Sequence, residues 1–157
     1  MNREEKFMQA AIEEGLKGMR NNEGGPFGCV VVKNDEIIGR GHNLVVGTND
    51  PTAHAEVTAI RDACKNINDF QLEGCEIYTT CEPCPMCLGA IYWARPAVIY
   101  YGNTRQDAAD IGFDDSMIYD EITQPLHKRI IPIKPIGREQ TMEMFKEWAI
   151  KNDKTEY

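Results

Sequence analysis

Two short clusters, His54-Ala55-Glu56 and Pro83-Cys84-Pro85-Met86-Cys87, constrain this chain more than any other feature. Between them they offer an imidazole, two thiols and a carboxylate. Cys84 and Cys87 stand three apart, so at the start of a helix they share one face and can hold one ion. Pro85 suits that start, and the N–H groups of a helix N-terminus favour the thiolate form that binds metal. A fold that brings His54 to these thiols makes a site with three protein donors. A structural zinc normally closes its shell with four, whereas three leave a position for water, and Glu56 is then available to move protons.

The spacings leave alternatives open. Cys81-Glu82-Pro83-Cys84 is a second C-x-x-C register; Pro83 separates Cys81 from the helix, which favours a small buried side chain at a strand end. For the imidazole, His42 falls by a hairpin end and His127 in a polar, Pro-flanked loop, neither beside a carboxylate suited to catalysis. Glu56 follows His54 by two residues, roughly 200° around an ideal helix, so spacing alone does not put both in one site.

Hydrophobic periodicity supplies the scaffold. Phe7, Ala10, Ala11, Ile12, Leu16 and Met19 recur at mostly helical intervals across Glu4 to Asn21. Cys29 to Lys33 and Glu36 to Gly39 flank the turn signal Asn34-Asp35 and predict a hairpin. An exposed polar loop is expected over Asn43 to Asn49. Asp50-Pro51 then caps and starts a second helix, which puts His54 in its opening turn. Glu76 to Thr80, Pro85 to Tyr92 and Ala97 to Tyr101 read as a strand, helix and strand crossover. Further on come a short helix near Arg105 to Asp110, a loop at Gly112-Phe113-Asp114-Asp115, a strand at Arg129 to Lys134 and a closing helix over about Glu139 to Lys151. Pro125, Pro132 and Pro135 make Gln124 to Gly137 a candidate hinge.

The 157 residues suit a single domain, 1–157. Met1 to Lys6 are polar and charged, and no apolar run approaches the roughly 20 residues of a membrane span, so a cytoplasmic protein without membrane partners is expected. In that setting the six cysteines read as buried thiols and metal ligands instead of disulfides. A formal charge of −8, from 25 acidic and 17 basic residues, works against a polyphosphate ligand and suits a small uncharged one.

The pattern H-x-E followed by P-C-x-x-C resembles the cytidine-deaminase-like superfamily of zinc-dependent nucleobase deaminases. Gly25-Pro26-Phe27-Gly28, Asn49 to Ile60, Cys81 to Arg95, Gly112 to Ser116 and the terminal Glu156-Tyr157 extend the resemblance over nearly the whole chain to the small bacterial guanine deaminase family. The zinc motif marks only the superfamily; the Phe-Asp-Asp-Ser segment and the final tyrosine narrow it. This resemblance implies a three-layer α/β/α sandwich with a mixed five-stranded sheet, one zinc per subunit on His54, Cys84 and Cys87, and Glu56 as proton shuttle. It implies Asp115 as a second acid/base group, Asn43 as partner of a base edge, Phe27 as a stacking surface, and Ala55 as a further substrate contact. It also implies a homodimer in which the C-terminal segment, about 125–157, of one subunit closes the other's site, with Tyr157 in the lid and Trp93 lining the partner's site.

The activity implied is hydrolysis of guanine, a small purine base, to xanthine and ammonia. A tRNA adenosine deaminase shares the zinc motif, but the acidic balance and the lack of a Lys/Arg-rich tail argue against it. Cytosine or a nucleoside is a further alternative, the latter needing room for ribose under a closing lid. A zinc-stabilised binding module without turnover would need a fourth protein ligand such as Cys81.

Overall fold

In the computed structural model, which describes residues 1–157, a four-stranded mixed sheet organises the first of two units, Met1–Asp115. Helix α1 (Arg3–Arg20) opens with a capping box between Asn2 and Glu5, which satisfies two otherwise unpartnered backbone donors. Strands β1 (Gly28–Lys33) and β2 (Glu36–His42) form the expected antiparallel hairpin. Asn34 and Asp35 at its turn both have positive φ, 51° and 64°, the geometry that matches strand twist. β1 also pairs antiparallel with β3 (Glu76–Cys81), and β3 pairs parallel with β4 (Val98–Asn103). The parallel pair is joined through α4 (Pro85–Ala94), the crossover read from the sequence.

Alternate residues of the central strands feed two cores. Val30, Val32 and Tyr78 pack with Ala11 and Phe7 of α1, whereas Cys29, Val31 and Ile77 pack with Ala55, Ala59 and Ala63 of α3 (Ala55–Ile67) and Ile91 of α4. Helices therefore cover both faces, and the unbroken apolar run in β1 follows. Each fully buried valine contributes about 1.5–3 kcal/mol over an exposed one. Gly41 of β2 lets α3 pass unusually close, since a Cβ there would lie 2.4 Å from the backbone of both Ala55 and Ala59.

Several expectations are corrected. The sheet has four strands, not five, because Arg129 to Lys134 is no strand. Its backbone is used locally: Ile130 N–H donates to Glu121, the Arg129 guanidinium donates to the carbonyls of Ile122 and Gln124, and Pro132 has no N–H to offer a ladder. The loop expected over Asn43 to Asn49 holds a helical turn, α2 (Val45–Thr48), and Asn43 is buried. The helix expected from Asp50-Pro51 starts instead at Ala55. Asp50 Oδ1 accepts from the N–H and hydroxyl of Thr52, closing a turn of its own, and His54 becomes the N-cap.

Beyond β4 come α5 (Arg105–Asp110), as expected, and in the second unit, Ser116–Tyr157, α6 (Ser116–Thr123). A 3-10 turn (Leu126–Lys128) and α7 (Arg138–Ile150) complete the chain's helices, and no residue of this unit is buried.

Candidate active site

His54 and Cys84 occupy equivalent places in the fold, each the extended N-cap of a helix, with φ/ψ of −71°/160° and −64°/167°. The 3.6-residue period then returns Cys87 to the face of Cys84 one turn into α4. Its N–H donates to Cys84 Sγ at 3.5 Å, so the thiol takes the capping role usually played by Ser or Asp. His54 Nδ1 lies 3.5 Å from Cys84 Sγ, and the donor atoms of His54, Cys84 and Cys87 all fall within 4.8 Å of one another. A tetrahedral zinc at ordinary bond lengths separates neighbouring nitrogen and sulfur ligands by roughly 3.5 Å. The cluster thus fits such an ion in both chemistry and spacing.

Among the three donors, the electrostatics favour the metal-binding, deprotonated form at Cys84 alone. The Cys84 thiol is pushed down to about 4 by the hydrogen bond from the Cys87 side chain and then by His54 and the Cys87 N–H. Cys87 is correspondingly pushed up by its bond to Cys84 and by burial, so Cys84 ionises first. His54 is raised chiefly by its bond to Cys84.

The structure answers the question the sequence left open about Glu56. Although two residues on from His54, its carboxyl is buried, 6% exposed, and interacts with Cys87. The Thr79 hydroxyl of β3 donates to Glu56 Oε1 at 3.2 Å. Burial pushes the Glu56 carboxyl up, opposed by its backbone N–H, Cys87 and Thr79. A carboxyl that holds a proton more readily than usual suits acid/base work near neutrality.

Cys81 is not in the cluster. It ends β3 at 6% exposure with Sγ 3.6 Å from the Thr104 carbonyl, its thiol pushed up to about 11 by burial and then by Glu56. Asn43 lies beyond β2, its Oδ1 accepting from Val45 N–H at 3.0 Å and its N–H donating to the Phe27 carbonyl at 3.1 Å. Phe27 meets Phe113 edge to face, ring centres 4.9 Å apart. Ala55 is fully buried. The Asp115 carboxyl is raised by burial and then by Cys84. Trp93, on α4, and Tyr157, in the second unit, are exposed. Thr79 is the contact that sequence reasoning missed; its place opposite Cys29 in the ladder, facing α3, is the signal that would have found it.

Residues 1–103 match the family described as the cytidine and deoxycytidylate deaminase zinc-binding region. Over 153 residues the chain is 50% identical to the guanine deaminase of Bacillus subtilis (strain 168), spanning 98% of each. An X-ray structure of guanine deaminase from Bacillus subtilis superposes with a TM-score of 0.95 at 50% identity, covering 100% of this chain and 99% of the other. The tRNA-specific adenosine deaminase of Aquifex aeolicus (strain VF5) is 45% identical over 91 residues, which is 58% of this chain and 60% of the relative. No helix is long and apolar enough to cross a membrane.

Proposed function

This chain belongs to the cytidine and deoxycytidylate deaminase zinc-binding family, and from that premise we propose that it is a guanine deaminase, hydrolysing the exocyclic C–N bond of guanine to give xanthine and ammonia. The observation that carries the reading is the buried Glu56 carboxyl beside a three-donor cluster with no fourth protein ligand. A structural metal would be closed off, whereas this arrangement pairs an open position with a proton carrier. Likeness to a guanine deaminase extends through the second unit, whereas likeness to the tRNA deaminase does not span the chain, which favours the free base.

His54, Cys84 and Cys87 would hold zinc, one ion per subunit. Zinc bound there supplies Lewis-acid activation of water near neutral pH. Glu56 takes the proton from the attacking water and passes it to a ring nitrogen of guanine. It then takes the second proton from the hydroxyl now on that carbon and delivers it to the amino group, so the C–N bond breaks with release of ammonia and the new C–O bond becomes the carbonyl of xanthine. Asp115 acts as a second acid/base group at the amino nitrogen. Asn43 recognises the base edge, Phe27 stacks on the ring, and Ala55, first residue of α3, contributes an N–H that the helix leaves unpartnered.

The working enzyme is a cytoplasmic homodimer in which the segment 125–157, hinged at Gln124 to Gly137, is exchanged. Tyr157 then closes the partner's site and Trp93 lines it. The lack of any buried residue in Ser116–Tyr157 supports this arrangement.

The test is ammonia release from guanine, guanosine, adenine, cytosine and a tRNA anticodon stem, together with zinc analysis of the wild type and Glu56→Ala. Guanine should react fastest, and Glu56→Ala should lose at least about 100-fold in rate while retaining zinc. Activity on the tRNA stem with none on guanine would reverse the assignment.

A further inference from the structure

Asn43 is framed by residues 23–27, a loop that neither supplies metal donors nor belongs to a strand or helix. A Cβ on Gly24 would stand 2.1 Å from Asn43 Oδ1 and 2.4 Å from its carbonyl oxygen, so the loop backbone presses directly on the amide. The Glu23 carbonyl accepts from the N–H groups of Val46 and Gly47, at 3.1 and 2.8 Å, and Val45 of the same turn donates to Asn43 Oδ1. Glu23 also reaches the residue beside Asn43: its Oε2 lies 2.8 Å from His42 Nε2, while His42 Nδ1 is 3.4 Å from Glu14 Oε2 on α1. The His42 side chain is only 12% exposed.

We propose that the Glu23–His42 pair is a positioning device that fixes the amide plane of Asn43 and thereby the enzyme's grip on the purine edge. This rests on the reading that Asn43 contacts the base. With Val45 N–H on one Oδ1 lone pair, the other lone pair and the two Nδ2 hydrogens remain for a ligand. Their directions are set by the amide plane, which the Gly24 backbone and α2 confine. Both are anchored through Glu23, its carbonyl to α2 and its carboxylate to β2. Cutting the carboxylate from His42 frees the loop that holds Gly24 against the amide, and misaligned donors bind substrate more weakly.

A double-mutant cycle on the zinc-loaded enzyme, read as kcat and KM for guanine, tests this. Glu23→Ala should raise KM about tenfold with kcat little changed and zinc content intact. Glu23→Gln, which keeps an oxygen acceptor for His42, should return KM to within about threefold of wild type. In an Asn43→Ala background, Glu23→Ala should change KM by less than about twofold, because the group it positions is gone. Equal effects of Glu23→Ala with and without Asn43, or no effect at all, would overturn the proposal; a purely structural role gives the first pattern. Should Glu23→Ala fail to fold, His42→Ala, which removes the other partner of the pair, enters the cycle with the same expectations. If Asn43→Ala alone leaves KM unchanged, the fault lies in the assignment of Asn43 and the proposal falls with it. Absence of guanine hydrolysis by the wild type would instead indict the activity.

Discussion

Thr79 shows how one hydroxyl bears on the chemistry. It is 1% exposed and gives Glu56 Oε1 a donor at 3.2 Å, so it fixes the plane of the carboxyl to which the proposed mechanism assigns proton transfer. Thr79→Val preserves shape and removes the donor. Leaving a buried acceptor unpaired costs about 1–3 kcal/mol, so kcat should fall roughly 5- to 150-fold with zinc content and KM little changed, measured by steady-state kinetics and metal analysis. The thiols separate in the same way: Cys84→Ser should lose zinc, whereas Cys81→Ser should keep both zinc and activity, because Cys81 points to the Thr104 carbonyl. Sequence spacing carries the Cys84/Cys87 pair, since a helix fixes what three residues of separation mean. It cannot carry the meeting of His54 with Glu56, because the two straddle the boundary of α3 and only Glu56 obeys the helical period. Nor can it carry Thr79, whose contact arises between a strand and a helix far apart in the chain.

At the scale of elements, the site depends on how closely α3 lies on β2. Gly41→Ala would force a methyl into backbone at 2.4 Å, which no side-chain rotation relieves. Overpacking of this kind costs about 1–3 kcal/mol, expected as a fall of roughly 2–12 °C in Tm, with weakened zinc affinity because α3 carries His54 at its cap. A second tie joins the start of α1 to β3: the Arg3 guanidinium donates to both oxygens of Glu76 at 2.9 and 3.0 Å, and the Tyr78 hydroxyl donates to Glu76 as well. The Arg3 bond first, then that of Tyr78, hold the Glu76 carboxyl below its ordinary value. A depressed native pKa means that the stabilisation is complete above the unfolded glutamate range, near about 4.3, and disappears as pH falls through the lower native value. Glu76→Gln should therefore be less stable than wild type at pH 7, with the gap closing on acidification below pH ~4, as followed by urea unfolding. Most elements are legible in the sequence because their burial is periodic. The start of α3 is not, since Asp50 is equally competent to cap a helix or to close the turn it makes with Thr52, and tertiary packing makes the choice. The segment Arg129 to Lys134 departs from its pattern for a related reason: its isoleucines have strand character, but its donors and prolines are committed elsewhere.

The whole molecule poses a question of stability that the second unit cannot answer alone. Ordering each residue costs about 1–2 kcal/mol of backbone entropy, and segments of this size hold a fold only when apolar surface is buried against something. Yet Ser116–Tyr157 has no buried residue, and Ile131, Ile136 and Ile150 are 78%, 92% and 79% exposed. On α7, Met144, Phe145 and Trp148 are also exposed at three- and four-residue intervals, an apolar stripe suited to another surface. In the exchanged homodimer proposed above, that surface would be a second copy, and each site would combine Glu56 of one chain with Tyr157 of the other. This makes a specific demand on mixed subunits. Glu56→Ala keeps an intact tail, and a chain lacking residues 154–157 keeps an intact Glu56; each alone should be nearly inactive. Unfolded together and refolded at equal concentration, half the dimers are mixed, and one of their two sites has both parts. Activity should recover to about a quarter of wild type under statistical pairing. If each tail served its own chain, the same mixture would stay inactive however long it was incubated, because no pairing could place a wild-type tail over a wild-type Glu56.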